Sequence, residues 1–138
     1  MMIVIDANLL IAMVSGDQRG PLVLQKFNEW IGQGDELIAP SLAQFEVANG
    51  LTRLIVASAF QVNKAEAAWN EISLLPIVYH PLRNFSRVIE IALRLGRQNA
   101  YDAAYLALAE TLGAELWTLD GPLYRNASGQ GFPVQLLS

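Results

Sequence analysis

Short apolar runs rich in branched side chains recur along the chain: Ile3-Val4-Ile5, Leu37-Ile38-Ala39, Ile77-Val78-Tyr79, Leu116-Trp117-Thr118-Leu119 and Val134-Gln135-Leu136-Leu137. They are apolar throughout instead of alternating with polar residues, as expected of strands covered on both faces. Helical patterns lie between them. Pro21 suits a first helical position and is followed by Val23, Phe27, Trp30 and Ile31 at helical spacing. Ser41 with Gln44, and Asn63 with Glu66, read as capping boxes. The Ala-rich stretch from Ala100 to Leu112 ends at Gly113, a natural helix terminator. Strands alternating with helices predict an α/β fold around a mostly parallel sheet. No linker, repeat or low-complexity tract interrupts residues 1–138, so a single domain is expected.

Composition narrows the chemistry. The 138 residues include no Cys and one His, His80, which excludes disulfides, zinc–thiolate sites, cysteine nucleophiles and multi-histidine metal centres. No apolar run reaches the ~18 residues of a membrane span, and Met1-Met2-Ile3-Val4-Ile5-Asp6 lacks the basic start of a signal peptide, so a cytoplasmic location is expected. Hydrophobic residues make up 53% of the chain, with ten glycines besides, more than a domain of this size hides. Part of that surface is expected in a subunit or partner interface. The balance is acidic, 13 Asp and Glu against 9 Lys and Arg, for a net charge of −4. Taken alone, that speaks against a general nucleic-acid binder.

Four of the acids stand in unusual places. Asp6 follows the first strand and Asp120 follows the fourth. In open α/β sheets, ligands bind outside the carboxyl ends of the strands where the strand order reverses. If those two strands are neighbours, the two carboxylates face each other there; capping the next helix is the plainer role for each. Glu46 lies in the helix after Ser41, where Glu46, Asn49 and Arg53 fall within about 60° of one another and form a narrow polar stripe. Asp102 is the only charge before Glu110 on the most apolar helix of the chain. A lone carboxylate there is costly when buried without a partner.

Two carboxylates ~4–5 Å apart repel by roughly 3–4 kcal/mol at an effective dielectric near 20. Bringing them together therefore calls for a shared proton or a bound cation. With neither Cys nor a second His, the donors are oxygens, which suit Mg²⁺ or Mn²⁺. Hard divalent ions on carboxylates most often serve phosphate chemistry.

These residues carry a resemblance to a known family. The chain resembles PIN-domain ribonucleases, and by size and pattern the VapC-type toxins of toxin–antitoxin pairs. The likeness spans the whole chain and rests on Asp6-Ala7-Asn8 after the first strand, on Glu46 with Asn49 and Arg53, on Tyr101-Asp102-Ala103-Ala104-Tyr105 and on Thr118-Leu119-Asp120. It implies a three-layer α/β/α sandwich whose five-stranded, mostly parallel sheet has the order 3-2-1-4-5. Asp6, Glu46, Asp102 and Asp120 would then be the acidic quartet holding one or two Mg²⁺ or Mn²⁺ ions. Asn8 and Thr118 would orient them. The reaction implied is hydrolysis of an RNA phosphodiester by activated water, and the partners are RNA, a cognate antitoxin and a second copy in a homodimer. Asn8 stands where many relatives carry Ser or Thr.

Arg83, Arg87, Arg94 and Arg97 fall on one ~80° face if their segment is a single helix, a stripe for RNA phosphate or antitoxin contact or a plain solvated face. His80 has no apparent catalytic partner, and Trp30, Trp69 and Trp117 read as core or interface residues. Two rivals stand beside the ribonuclease. One is a metal-dependent phosphatase or other nuclease on a similar scaffold, although Asn8 occupies the place where nucleophile-Asp phosphatases usually carry a second Asp. The other is a non-catalytic interaction module. Without the four quartet acids the chain is formally neutral, so its acidity matches the proposed metal cage and RNA binding is expected to depend on metal.

Overall fold

Five parallel strands form one sheet in the order β3-β2-β1-β4-β5 in the computed structural model, which describes residues 1–138. They are β1 (Met2–Ile5), β2 (Glu36–Pro40), β3 (Ile77–His80), β4 (Glu115–Thr118) and β5 (Val134–Leu136). The central pairs register Val4 with Ile38 and Val4 with Leu116. β1 and β2 carry the most apolar runs, and they are buried along almost their full length.

Seven helices connect the strands. α1 (Ala7–Val14) and α2 (Gly20–Gly32) lead from β1 to β2. α3 (Leu42–Val56) and α4 (Ala65–Ser73) lead to β3, α5 (Phe85–Arg94) and α6 (Tyr101–Leu112) to β4, and α7 (Gly121–Gly129) to β5. Parallel crossovers are right-handed. The chain steps one way from β1 through β3 and the other way from β3 through β5, so α1–α4 cover one face and α5–α7 the other. The result is the α/β/α sandwich expected above. Its strand order reverses between β1 and β4, which sets the ends of those two strands side by side at the crevice where such sheets bind ligands. No helix is long and apolar enough to cross a membrane.

Local signals fare unevenly. Gly113 ends α6 in the left-handed conformation at φ 63°. Neither predicted capping box forms. Ser41 is itself helical at φ −55°, and its N–H serves the sheet by donating to His80 O at 2.8 Å. Asn63 falls inside a short 3₁₀ turn, Val62–Lys64, and α4 begins only at Ala65. β4 starts and ends one residue earlier than its apolar run, so Leu119 separates it from Asp120. Trp30 is buried and meets Trp117 edge-on at 5.3 Å, while Trp69 is half-buried on α4.

The four arginines do not share a helix face. Asn84 caps α5 by accepting from Arg87 N at 3.2 Å, which leaves Arg83 outside the helix. Gly96, at φ 69°, turns the chain away before Arg97. Arg87 is held by Glu110 at 2.9 and 2.8 Å and by Glu90 at 3.1 Å, and the Arg94 guanidinium lies 4.7 Å from the Phe132 ring.

Candidate functional site

Two strand ends are laced together at the crevice. Asp6 leaves β1 in extended conformation, and its N–H donates to Trp117 O at 3.0 Å. Its side chain does not cap α1. Instead Asp6 Oδ2 accepts from the Thr118 hydroxyl at 2.8 Å and from Asn8 Nδ2 at 3.3 Å. Asn8 Nδ2 also reaches Thr118 Oγ1 at 3.1 Å, and Asn8 Oδ1 accepts from Leu119 N at 3.2 Å. Thr118 Oγ1 in turn accepts from Asp120 N at 3.0 Å. Asn8 and Thr118 thus fix the start of α1 against the end of β4. Asp120 does cap its helix, with Oδ1 accepting from Leu123 N at 3.0 Å.

Glu46 and Asp102 reach the same crevice from opposite faces of the sheet. A Cβ at Gly50 would run into Ile11 Cδ1, so the glycine lets α3 lie close against α1. Glu46 is one turn earlier on the same side of α3. Asp102 sits in the first turn of α6, whose following residues Ala103–Ala109 are all buried and dock that helix on the sheet. The helix ends support the cluster electrostatically. α1, α6 and α7 begin beside Asp6, Asp102 and Asp120, and helix N-termini favour negative charge.

The carboxylates feel one another. Burial pushes the Asp6 carboxyl up to about 7; the Thr118 hydrogen bond opposes this, and Asp102 and Glu46 add to it. Glu46 is raised by burial, with Tyr105 and Arg53 opposing and Asp102 adding. Asp102 is raised by burial, with Arg97 opposing and Asp120 adding. The Arg97 Nε lies 3.8 Å from Asp102 Oδ2. Glu46, Asn49 and Arg53 line a single cavity of about 510 Å³ together with Leu42, Phe45, Asn99 and Tyr101, so the polar stripe of α3 faces the site.

Tyr105 is the residue that sequence reasoning passed over. It is buried, and burial together with Asp6 and Glu46 raises its hydroxyl well above the usual phenol range. It lies close enough to Glu46 to influence it, yet Tyr105 Oη and Glu46 Oε1 are both buried without a hydrogen-bond partner. The signal was present as the one polar tip among the buried residues of α6.

Whether this group of residues suits a cation follows from two observations. No three acids already stand together as a ready cage, because Asp120 is turned to its helix and Asp6 to Thr118 and Asn8. The donors, however, are hard oxygens, and the buried Glu46 Oε1 has the Tyr105 hydroxyl beside it but no formed hydrogen bond. A buried polar oxygen without a partner is costly, and a cation or ordered water removes the cost. In donor chemistry the residues fit a hard divalent ion.

Comparison with known proteins bears on the fold and the family. The family model for the PIN domain matches residues 3–128. The chain is 30% identical to ribonuclease VapC3 of Pyrobaculum aerophilum over 130 residues, covering 89% of this chain and 92% of that protein. It is 32% identical to ribonuclease VapC9 of Mycobacterium tuberculosis over 126 residues, 86% of each. The crystal structure of PAE2754 from Pyrobaculum aerophilum shares the fold, with a TM-score of 0.68 at 22% identity over 94% of this chain and 81% of that one.

Proposed function

The chain belongs to the PIN-domain family and is of the VapC type, and on that premise we propose that it is a ribonuclease dependent on Mg²⁺ or Mn²⁺ and the toxin of a toxin–antitoxin pair. The observation that carries this reading is that Asp6, Glu46 and Asp102, from three different elements, are each raised by burial and by a neighbouring carboxylate, so the acids lie within electrostatic reach of one another at the crevice. Asp6, Glu46 and Asp102 would hold the ion, with Asp120 joining them after release from its cap. Bound there, a divalent ion supplies Lewis acidity to the attacking water and to the leaving oxygen of a phosphodiester.

The protein's own share is orientation. Thr118 and Asn8 donate to Asp6 Oδ2 and fix its carboxylate plane. Arg53, on the cavity wall, and Arg97, beside Asp102, flank the acids and offer guanidinium forks to RNA phosphates. Arg87 is paired with Glu110 and Glu90, which balance its charge locally.

A protein partner belongs to the same proposal. Phe85, Ile89 and Leu93 stand exposed at helical spacing along α5, and Val78 is exposed on the edge strand β3. Such a face suits a second copy of the chain or an antitoxin.

The test pairs cleavage with a metal-binding readout. Asp6→Asn and Asp102→Asn are expected to abolish RNA cleavage while the far-ultraviolet circular dichroism stays native. Mg²⁺ or Mn²⁺ should raise the melting temperature of the wild type by mass action and that of the variants far less. Cleavage at the wild-type rate by either variant overturns the assignment. Turnover of small phosphate esters but not RNA would transfer the site to the phosphatase alternative.

A further inference from the structure

Two exposed aromatic rings share a cavity with one of the site acids, Glu46. Phe45 is 83% exposed and Tyr101 is 58% exposed, and both line the cavity that contains Glu46. Each immediately precedes a site carboxylate, Phe45 before Glu46 near the start of α3 and Tyr101 before Asp102 at the start of α6. Neighbouring helix residues point about 100° apart. With the carboxylate turned toward the crevice, the ring before it stands at the rim. The remaining wall is polar: Asn49, Arg53 and Asn99.

We propose that Phe45 and Tyr101 form a base-stacking clamp that holds an unpaired nucleotide beside the scissile phosphate and so position the RNA strand for cleavage. The proposal rests on the ribonuclease reading above and deepens it. Rings supply faces for a nucleobase, and base–aromatic stacking tolerates any base because every base has a π-face. Asn49 and Asn99 carry donors and acceptors that suit base edges, and Arg53 suits the adjoining phosphate. The volume of about 510 Å³ lies in the ordinary range of small-ligand pockets. A base inside a duplex has both faces covered by its neighbours and cannot offer one to a ring without leaving the stack. An apolar anchor from a protein partner would leave those two amides, the guanidinium and Glu46 desolvated beside it, so this cavity favours RNA, whereas the other side of Phe45 borders an apolar groove with Ala48 and Trp69.

The probe is a short single-stranded oligoribonucleotide with phosphorothioate linkages and one 2-aminopurine, whose fluorescence is quenched by stacking. The full wild-type chain with Mg²⁺ should quench it, and should leave the same strand unquenched once it is paired into a duplex. Phe45→Leu and Tyr101→Leu should each lose the quench and weaken binding roughly 5- to 150-fold. Tyr101→Phe should restore both. With cleavable RNA, the Leu variants should raise KM by more than they lower kcat. Both positions are exposed, so unchanged melting temperatures are expected and serve as the folding control. Wild-type affinity and quenching in the two Leu variants, or equal binding of the duplex, overturns the clamp even if the enzyme cuts RNA. If the Leu variants bind RNA normally but lose a co-expressed protein partner, the rings belong to a protein interface and the clamp is also overturned. A wild type that cuts no RNA at all brings down the ribonuclease reading itself.

Discussion

The Thr118 hydroxyl donates a 2.8 Å hydrogen bond to Asp6 Oδ2 across 112 positions of sequence, and Thr118 Oγ1 itself accepts from Asp120 N. One fully buried side chain therefore couples the ends of β1 and β4. Thr118→Val keeps the shape, strips Asp6 of its best donor and leaves Asp120 N without an acceptor. A loss of about 1–3 kcal/mol is expected, the cost of buried groups left unpaired, measured by urea denaturation. The Thr118 bond also holds the Asp6 carboxyl down against burial, so its loss should move the acid limb of the cleavage–pH profile upward. Thr118→Ser should restore both readouts. An unshifted profile in Thr118→Val would show that Asp6 does not depend on this bond.

Asp6 also sets a pH dependence of folding. Its carboxyl sits at about 7 in the fold because it is buried, against 3.8 for a free aspartate. Between those values the folded chain holds a proton that the unfolded chain has released. Stability without metal should therefore fall as pH rises from about 4 to 7, by at most on the order of 4 kcal/mol. Glu46 and Asp102 are raised too and act in the same direction. Asp17 and Glu110 are lowered by their arginine partners, so their contributions vanish only at pH values below this window. Thermal melts with chelator at pH 5 and pH 8 should show the lower midpoint at pH 8. Asp6→Asn should flatten the difference, and Mg²⁺ should recover the wild type at pH 8. A midpoint that rises from pH 5 to pH 8 in chelator would contradict the burial of Asp6.

The sheet was legible because all five strands announce themselves as apolar runs, and Gly113 marked the end of α6 without help from tertiary structure. Asp6 was singled out by its place directly after the first strand, and Asp102 as the lone carboxylate on an apolar helix. Asp120 was legible in position but not in orientation, since whether a carboxylate caps its own helix or faces a neighbour is decided by rotation about two bonds. Tyr105 escaped because a tyrosine in an apolar helix reads as core, and only packing shows that its hydroxyl is stranded beside Glu46. The arginine stripe failed for a different reason. Helical periodicity was extended from Arg83 to Arg97 through Gly96, where the backbone turns left-handed and the face is lost.

The arginines now divide into two groups that salt titration separates. Arg53 and Arg97 flank the acids, whereas Arg87 is neutralised by Glu110 and Glu90. Replacing both Arg53 and Arg97 by Gln should weaken RNA binding and make the dependence of log affinity on log salt shallower by about 0.7 per lost phosphate contact on a single strand. Arg87→Ala should leave that slope unchanged and change stability little, as for other exposed ion pairs. A reduced slope in Arg87→Ala with none in the double variant would move the RNA path to the outer face of α5.

The close passage of α3 over α1 depends on Gly50. Alanine is the better helix former by about 1 kcal/mol, yet a Cβ at this position would run into Ile11 Cδ1. Unless Ile11, whose Cδ1 is the free end of a half-buried side chain, turns aside, Gly50→Ala should therefore gain nothing, or lose about 1–3 kcal/mol through overpacking. It should also lower cleavage, because pushing α3 outward carries Glu46 away from Asp6. Ile11→Val deletes the obstructing Cδ1 at a cost of about 0.5–1.5 kcal/mol. In that background Gly50→Ala should become stabilising and cleavage should return. A double-mutant cycle read by urea denaturation should thus show a favourable coupling above about 0.5 kcal/mol, the level at which independent sites cease to add. Additive effects, together with unchanged cleavage in Gly50→Ala, would show that Glu46 is placed by something other than the contact between these two helices.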